Sequence, residues 1–117
     1  MLPAAARMRR RTDFEAARSG VRVGRRLLVG QLYVRADAGE PPRVGFVVSR
    51  AVGQAVVRNR VRRRLRHLAA GYLHRLPRGS LLVLRANPRA ATAKYAELAA
   101  ELDVVVEALL RRQGGAA

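Results

Sequence analysis

The chain has 117 residues, enough for one domain with one modest core, and half of its residues are apolar. It carries 24 Lys and Arg against 8 Asp and Glu, a formal net charge of +16 that sets the compact state against itself unless a polyanion neutralises it. There is no cysteine, which excludes disulfides, thiolate catalysis and cysteine-held zinc, and no apolar run approaches the ~18 residues of a membrane span.

Residues 1–11, MLPAAARMRRR, read as a flexible basic arm, because Arg7, Arg9, Arg10 and Arg11 have no apolar partners at helical spacing. No apolar h-region follows these charges, so the segment is not a secretory signal, and a soluble cytoplasmic protein is the expectation. Thr12-Asp13-Phe14-Glu15 has the form of a capping box, with the Thr hydroxyl accepting from the Glu15 amide and the Glu carboxylate reaching back. It predicts a short helix over about 13–18, ended by Gly20. Phe14 is the only large apolar side chain on that helix, which is too short to persist without docking.

Residues 21–35 are β-prone. Val29, Gln31, Tyr33 and Arg35 fall on one face of a strand, and Leu28, Leu32 and Val34 on the other. One face therefore belongs to the core, and the other carries polar groups and a single ring. DAGEPP at 37–42 marks a turn, and 43–49 reads as the next strand. An antiparallel hairpin of 28–35 with 43–49 is expected.

Gly53 interrupts the pattern and a helix begins near Gln54 or Ala55. Val57, Val61, Leu65, Leu68, Tyr72 and Leu76 make one apolar stripe, running up to Pro77 and Gly79. The opposite arc holds Asn59, Arg60, Arg62, Arg63, Arg66 and His67, with Arg58 and Arg64 flanking the stripe. Leu81 to Leu84 is a short, fully apolar run, the signature of a central strand buried on both faces. The strands before and after the basic helix can be parallel neighbours, for which a right-handed crossover is the usual expectation. Asn87-Pro88 turns the chain and Thr92 offers an N-cap. Tyr95, Leu98, Leu102, Val105 and Leu109 then form the stripe of a last helix, before a frayed tail at 113–117. The whole is an α+β sandwich with helices over one mostly antiparallel sheet.

Catalytic equipment is missing from this pattern. The acids are Asp13, Glu15, Asp37, Glu40, Glu97, Glu101, Asp103 and Glu107, which fall on a cap, a loop and one helix face. His67 and His74 have no carboxylate near them in sequence. No nucleophile constellation and no phosphate-binding glycine loop occurs. The basic helix is another matter. No acid lies between Glu40 and Glu97, and like charges at i,i+3 and i,i+4, such as Arg60 with Arg63 and Arg64, destabilise a free helix. A face built against its own stability points to an anionic ligand. Twenty-three of the 24 basic residues are Arg, whose planar fork suits phosphate. Asn59 and Gln54 can bond bases or the 2′-OH of RNA.

The stretch RVGFVVSRAVGQAVVRNRVRRRLR, residues 43–66, closely resembles the signature of the bacterial ribonuclease P protein component. The match falls on Arg43, Val44, Gly45, Ser49, Gly53, Ala55, Val56, Arg58, Asn59, Arg60, Arg62, Arg63 and Arg66, with Arg50 at a basic position of the pattern. The resemblance extends along the chain through the basic arm, Asp13-Phe14, the Tyr-bearing strand and the final helix. It implies a single-domain αβββαβα sandwich with one parallel pair and a left-handed βαβ crossover, against the right-handed default. It implies the small subunit of a ribonucleoprotein endoribonuclease that removes the 5′ leader of precursor tRNA, with catalysis and most of the Mg2+ carried by the RNA subunit. It assigns Arg58, Asn59, Arg60, Arg62, Arg63, Arg66 and Arg50 to RNA binding, and Phe14, Tyr33, Val47 and Ser49 to a leader-binding cleft. This chain departs from the family in having Ala17 and Arg18 where a second aromatic often follows Phe14. Two other readings remain open on composition: a non-enzymatic RNA-binding protein of ribosomal or chaperone type, and a membrane-surface protein. The second requires Trp or Phe at the apolar–polar boundary of the basic helix, and 55–76 has neither.

Overall fold

Four strands follow from the β-prone runs: β1 (Val21–Gly24), β2 (Leu28–Val34), β3 (Arg43–Val47) and β4 (Ser80–Ala86). Three helices accompany them: α1 (Arg11–Ala17), α2 (Ala55–Ala70) and α3 (Tyr95–Gly115). This computed structural model describes residues 2–36 and 39–115. Met1 of the predicted arm, Asp37 and Ala38 of the predicted turn, and Ala116 and Ala117 of the predicted tail lie outside the described residues. Residues 113–115 belong to α3.

The sheet order is β1-β2-β4-β3, antiparallel except for the parallel pair β3/β4 that α2 connects. The parallel pairing and the central place of β4 agree with the sequence. The expected hairpin of 28–35 with 43–49 does not form. β2 pairs instead with β1 on one side and β4 on the other. Leu81–Leu84 are all buried, and so apolar a strand gains most by having a hydrogen-bonded neighbour at each edge and a layer on each face. It therefore takes the place between β2 and β3.

The two faces of the sheet differ. Leu28, Leu32, Val44, Leu82 and Leu84 point into the main core, where Val61, Leu65 and Ala69 of α2 and Leu98, Leu102, Val105, Val106 and Leu109 of α3 cover them. Gly30 lets α3 settle directly on β2: a Cβ there would lie 2.6 Å from Val105 Cγ1 and 2.8 Å from Leu109 Cδ1. The other face carries Tyr33, Leu81, Val83 and Val47, covered among the described residues by α1 and Met8. Tyr33 and Leu32 thus point to opposite faces, as their alternation requires.

Residues 2–8 are not a free arm. Leu2 and Ala6 are buried in the main core, while Met8 is buried in the smaller cluster on the opposite face. The segment wraps around the edge of β3, with the Met8 amide donating to Val44 O at 2.9 Å. An uncovered edge strand leaves unpaired backbone groups, and this segment satisfies one of them.

Three helix boundaries also differ from expectation. α1 begins at Arg11 with Arg10 as N-cap and no side-chain cap, so the Thr12 capping box does not form. Glu15 pairs with Arg11 at 3.2 Å, and Asp13 is drawn inward to Arg43 at 3.1 Å. α2 stops at Ala70, and Leu73–Arg75 form a short 3-10 turn that still brings Leu76 into the core. α3 begins at Tyr95 rather than from a Thr92 cap, and Glu97 Oε1 accepts from the Lys94 amide at 2.9 Å. Tyr95 itself is 40% exposed and contributes nothing to the core.

Candidate nucleic-acid interface

α2 is aimed by its apolar stripe. Val61, Leu65 and Ala69 are fully buried against the sheet, which fixes the direction of every other side chain on the helix. Its entry is set by Gly53 at φ +153, where a Cβ would also press on Val57 at 3.1 Å. Ser49 and Arg50, both exposed, lie in the link between the end of β3 and this entry.

Five of the six arginines on α2 fall into two groups, with Arg63 outside both. Arg58, Arg62 and Arg66 recur at i, i+4 and i+8, so they share one stripe. The positive charges of Arg7, from the N-terminal segment, and of Arg62 act on Arg66. Partial burial first, and then these two guanidinium groups, push the Arg66 pKa below the usual arginine range. Nε of Arg7, Arg58 and Arg66 are each sealed from solvent without an acceptor. Arg62 Nη1 donates to Asn59 Oδ1 at 3.0 Å, which orients both side chains. Arg60 and Arg64 belong to the second group and turn towards α3: Arg60 Nη2 donates to Ala91 O at 3.0 Å, and Arg64 Nη1 to Ala93 O at 3.2 Å. Arg60 therefore ties α2 to the segment leading into α3 while its remaining donors stay at the surface.

Carboxylates are placed elsewhere. Glu101 pairs with Arg25 at 3.2 Å, Glu40 with Arg35 at 3.0 Å and with Arg43 at 2.9 Å, and Glu107 with Arg75. Among the described residues no ion pair reaches any arginine of α2. Among the described residues this guanidinium cluster has no internal counter-charge, and uncompensated guanidinium groups favour contact with anions such as phosphates.

On the open face of the sheet, Phe14, Tyr33 and Val47 come together around Met8, Ala17, Leu81 and Val83. Phe14 lies on Gly45, where a Cβ would stand 2.6 Å from its Cζ. Ser49 is outside this apolar cluster, beyond the end of β3. At the other end of the same face, Arg18, Arg22 and Arg85 surround Val29 and Gln31 around a cavity of about 390 Å³. Nothing local in the sequence links these three arginines. Pairing of Val29 with Arg85 and of Gln31 with Arg22 brings two of them onto this face, Arg18 arrives from the end of α1, and strand register is not a local signal. Arg35, expected on this face, is engaged by Glu40.

The ribonuclease P family model matches residues 2–110. The chain belongs to the ribonuclease P protein family. A ribonuclease P protein component from Thermobifida fusca is 53% identical over 121 aligned residues, covering 97% of this chain and 82% of the relative. One from Streptomyces griseus is 52% identical, covering 94% and 96%. The crystal structure of the Staphylococcus aureus RNase P protein shares the fold, with a TM-score of 0.78 and 21% identity over 87% of this chain and 93% of that one. As a ribonuclease P protein, this chain is the protein component of the ribonucleoprotein endoribonuclease that processes tRNA 5′ ends. That enzyme is metal-dependent. Among the described residues of the ribonuclease P protein, no three His, Asp or Glu cluster closely enough to hold a metal ion, so the side chains present do not fit a protein-held catalytic metal. No helix among them is long and apolar enough to cross a membrane.

Proposed function

We propose that α2 docks on the RNA subunit through Arg58, Asn59, Arg60, Arg62, Arg63 and Arg66, with Arg50 at its entrance. The 5′ leader of precursor tRNA then lies on the open sheet face against Phe14, Tyr33, Val47 and Ser49. The observation that carries this reading is the distribution of counter-charge: among the described residues the acids neutralise arginines elsewhere in the fold and leave those of α2 unmatched. Residues 1–117 act as one RNA-binding domain in the bacterial cytoplasm, where precursor tRNA is made. Mg2+ is held by the RNA, consistent with described carboxylates that are already engaged.

The protein's own contribution is binding and orientation. Guanidinium groups at the β3 edge screen phosphates where the catalytic RNA and the leader approach one another. The shallow apolar floor around Phe14 and Tyr33 accepts unpaired bases by stacking, a mode open to any sequence. Asn59, held by Arg62, can bond a base edge or a 2′-OH. Holding the leader extended beside the RNA active site lowers the entropic cost of bringing the scissile phosphodiester into place.

The deciding experiment reconstitutes the protein with its RNA subunit and a leader-bearing precursor tRNA at low Mg2+. Stimulated cleavage is expected, weakening with a shortened leader. If about six phosphate contacts form, the logarithm of affinity for the RNA subunit falls against the logarithm of salt with a slope of roughly −5. Absence of stimulation, or an affinity indifferent to salt, overturns the reading.

A further inference from the structure

Between the second half of α2 and the first turn of α3 lies a cavity of about 530 Å³, lined by Arg63, Arg64, Arg66, His67 and Tyr95. Its size is that of a small-ligand site. Tyr95 is one of the few large apolar side chains left exposed, at 40%, and its hydroxyl meets no partner among the described residues. His67 faces it with ring centroids 6.4 Å apart and planes inclined at 51°, an open wedge rather than a closed stack. The wedge is held open from below: Arg64 Nη1 is bound to Ala93 O and Arg60 Nη2 to Ala91 O, which fixes the chain just ahead of Tyr95. Among the described residues no carboxylate lines the cavity.

We propose that this wedge receives one unpaired nucleobase of the RNA subunit, stacked on Tyr95 with His67 at its edge and its flanking phosphates on Arg63 and Arg66. The inference rests on the reading that α2 docks on that RNA, and extends the interface from phosphate contacts to a base pocket. An aromatic face beside uncompensated guanidinium groups is the combination that captures an unstacked nucleotide. The occupant is the RNA subunit rather than the leader, because the cavity lies on the helical side of the sheet, continuous with the α2 cations and away from Phe14 and Tyr33. Leu98 and Leu102, further along the same stripe, reach the core, whereas Tyr95 leaves its ring available at the surface.

The test places the photoreactive residue p-benzoylphenylalanine at Tyr95, and separately at Arg62, in the full chain assembled with its RNA subunit and labelled precursor tRNA. The expected result is a crosslink from Tyr95 to one or two adjacent unpaired nucleotides of the RNA subunit, with or without precursor tRNA. A crosslink from Tyr95 to the leader or the tRNA body overturns the proposal, as does silence at Tyr95 while Arg62 labels the RNA subunit. Silence at both positions removes the underlying α2 interface instead. In parallel, Tyr95→Leu is expected to weaken assembly about 5- to 150-fold, the effect of losing one base stack, with an unchanged thermal melt, while Tyr95→Phe keeps most of the affinity. Equal affinity of Tyr95→Leu and the parent chain, with Arg62→Ala weakened, rejects the pocket and leaves the docking face standing.

Discussion

α2 and α3 lie on the same face of the same sheet, yet their outer surfaces are opposites. The outer side of α3 is tied into the protein: Glu101 holds Arg25 and the Leu27 amide, Asp103 accepts from Tyr72, and Glu107 pairs with Arg75. The outer side of α2 carries arginines with no carboxylate in reach among the described residues. Both helices bury an apolar stripe, so the difference is not about folding. One helix brings its own counter-charges, whereas the arginines of the other have none among the described residues, and in the function proposed above RNA phosphates supply them.

Substitutions on the two helices should therefore separate stability from RNA affinity. The largest expected effect is on α3. Leu102→Ala empties a fully buried position and should cost about 2–5 kcal/mol of unfolding free energy, read by chemical denaturation, while the folded fraction binds RNA with unchanged affinity. Next comes α2. Arg62→Ala should weaken RNA assembly by about 1–3 kcal/mol, the range for a charged hydrogen bond, and flatten the salt slope by roughly 0.9. Its thermal midpoint should stay level or rise, because a like charge beside Arg66 is removed. A drop in stability with unchanged affinity would erase the contrast between the helices. Glu101→Gln should be smaller and of the α3 kind, costing about 1 kcal/mol through its contacts to Leu27 N at 2.8 Å and Arg25, with no change in RNA binding. The smallest effect concerns Tyr72, whose phenol is pushed up to about 12, first by burial and then by its hydrogen bond to Asp103. The folded state favours the protonated phenol, so its contribution is complete below about pH 10, the unfolded value. It is lost as pH climbs towards 12. Tyr72→Phe should remove that alkaline decline in a pH series of melts.

Much of this was legible in the chain, and the failures have physical reasons. The α2 stripe and the central strand were readable because periodicity and a run of Leu and Val are local signals of burial. The partner of β2 was not readable, since the choice between β3 and β4 depends on which strand most needs two neighbours. The N-terminal segment looked like an arm because Leu2, Ala6 and Met8 follow no helical or strand period. They bury by wrapping an edge, reaching opposite faces of the sheet. The capping box lost to a helix starting earlier, with Glu15 taken by Arg11. The helix carrying Arg58 to Arg66 forms as its spacing predicts, but Arg60, read on the outward arc, is bound to Ala91 O. Phe14, Tyr33 and Val47 meet only through the fold. Tyr95 holds the right position in the stripe but stays 40% exposed, and the stripe reaches the core from Leu98 onward.

The placement of β4 has a consequence for synthesis on the ribosome. β2 and β3 touch only through β4, which ends at Ala86, roughly three-quarters of the way along the chain. Until that residue has cleared the exit tunnel, the nascent protein can form the β1–β2 hairpin and little else of the sheet. Its apolar strands and its arginine-rich helix are then displayed together and unassembled. Folding is thus gated by a late segment, and a chain cut short before β4 cannot be rescued by the two-thirds already made.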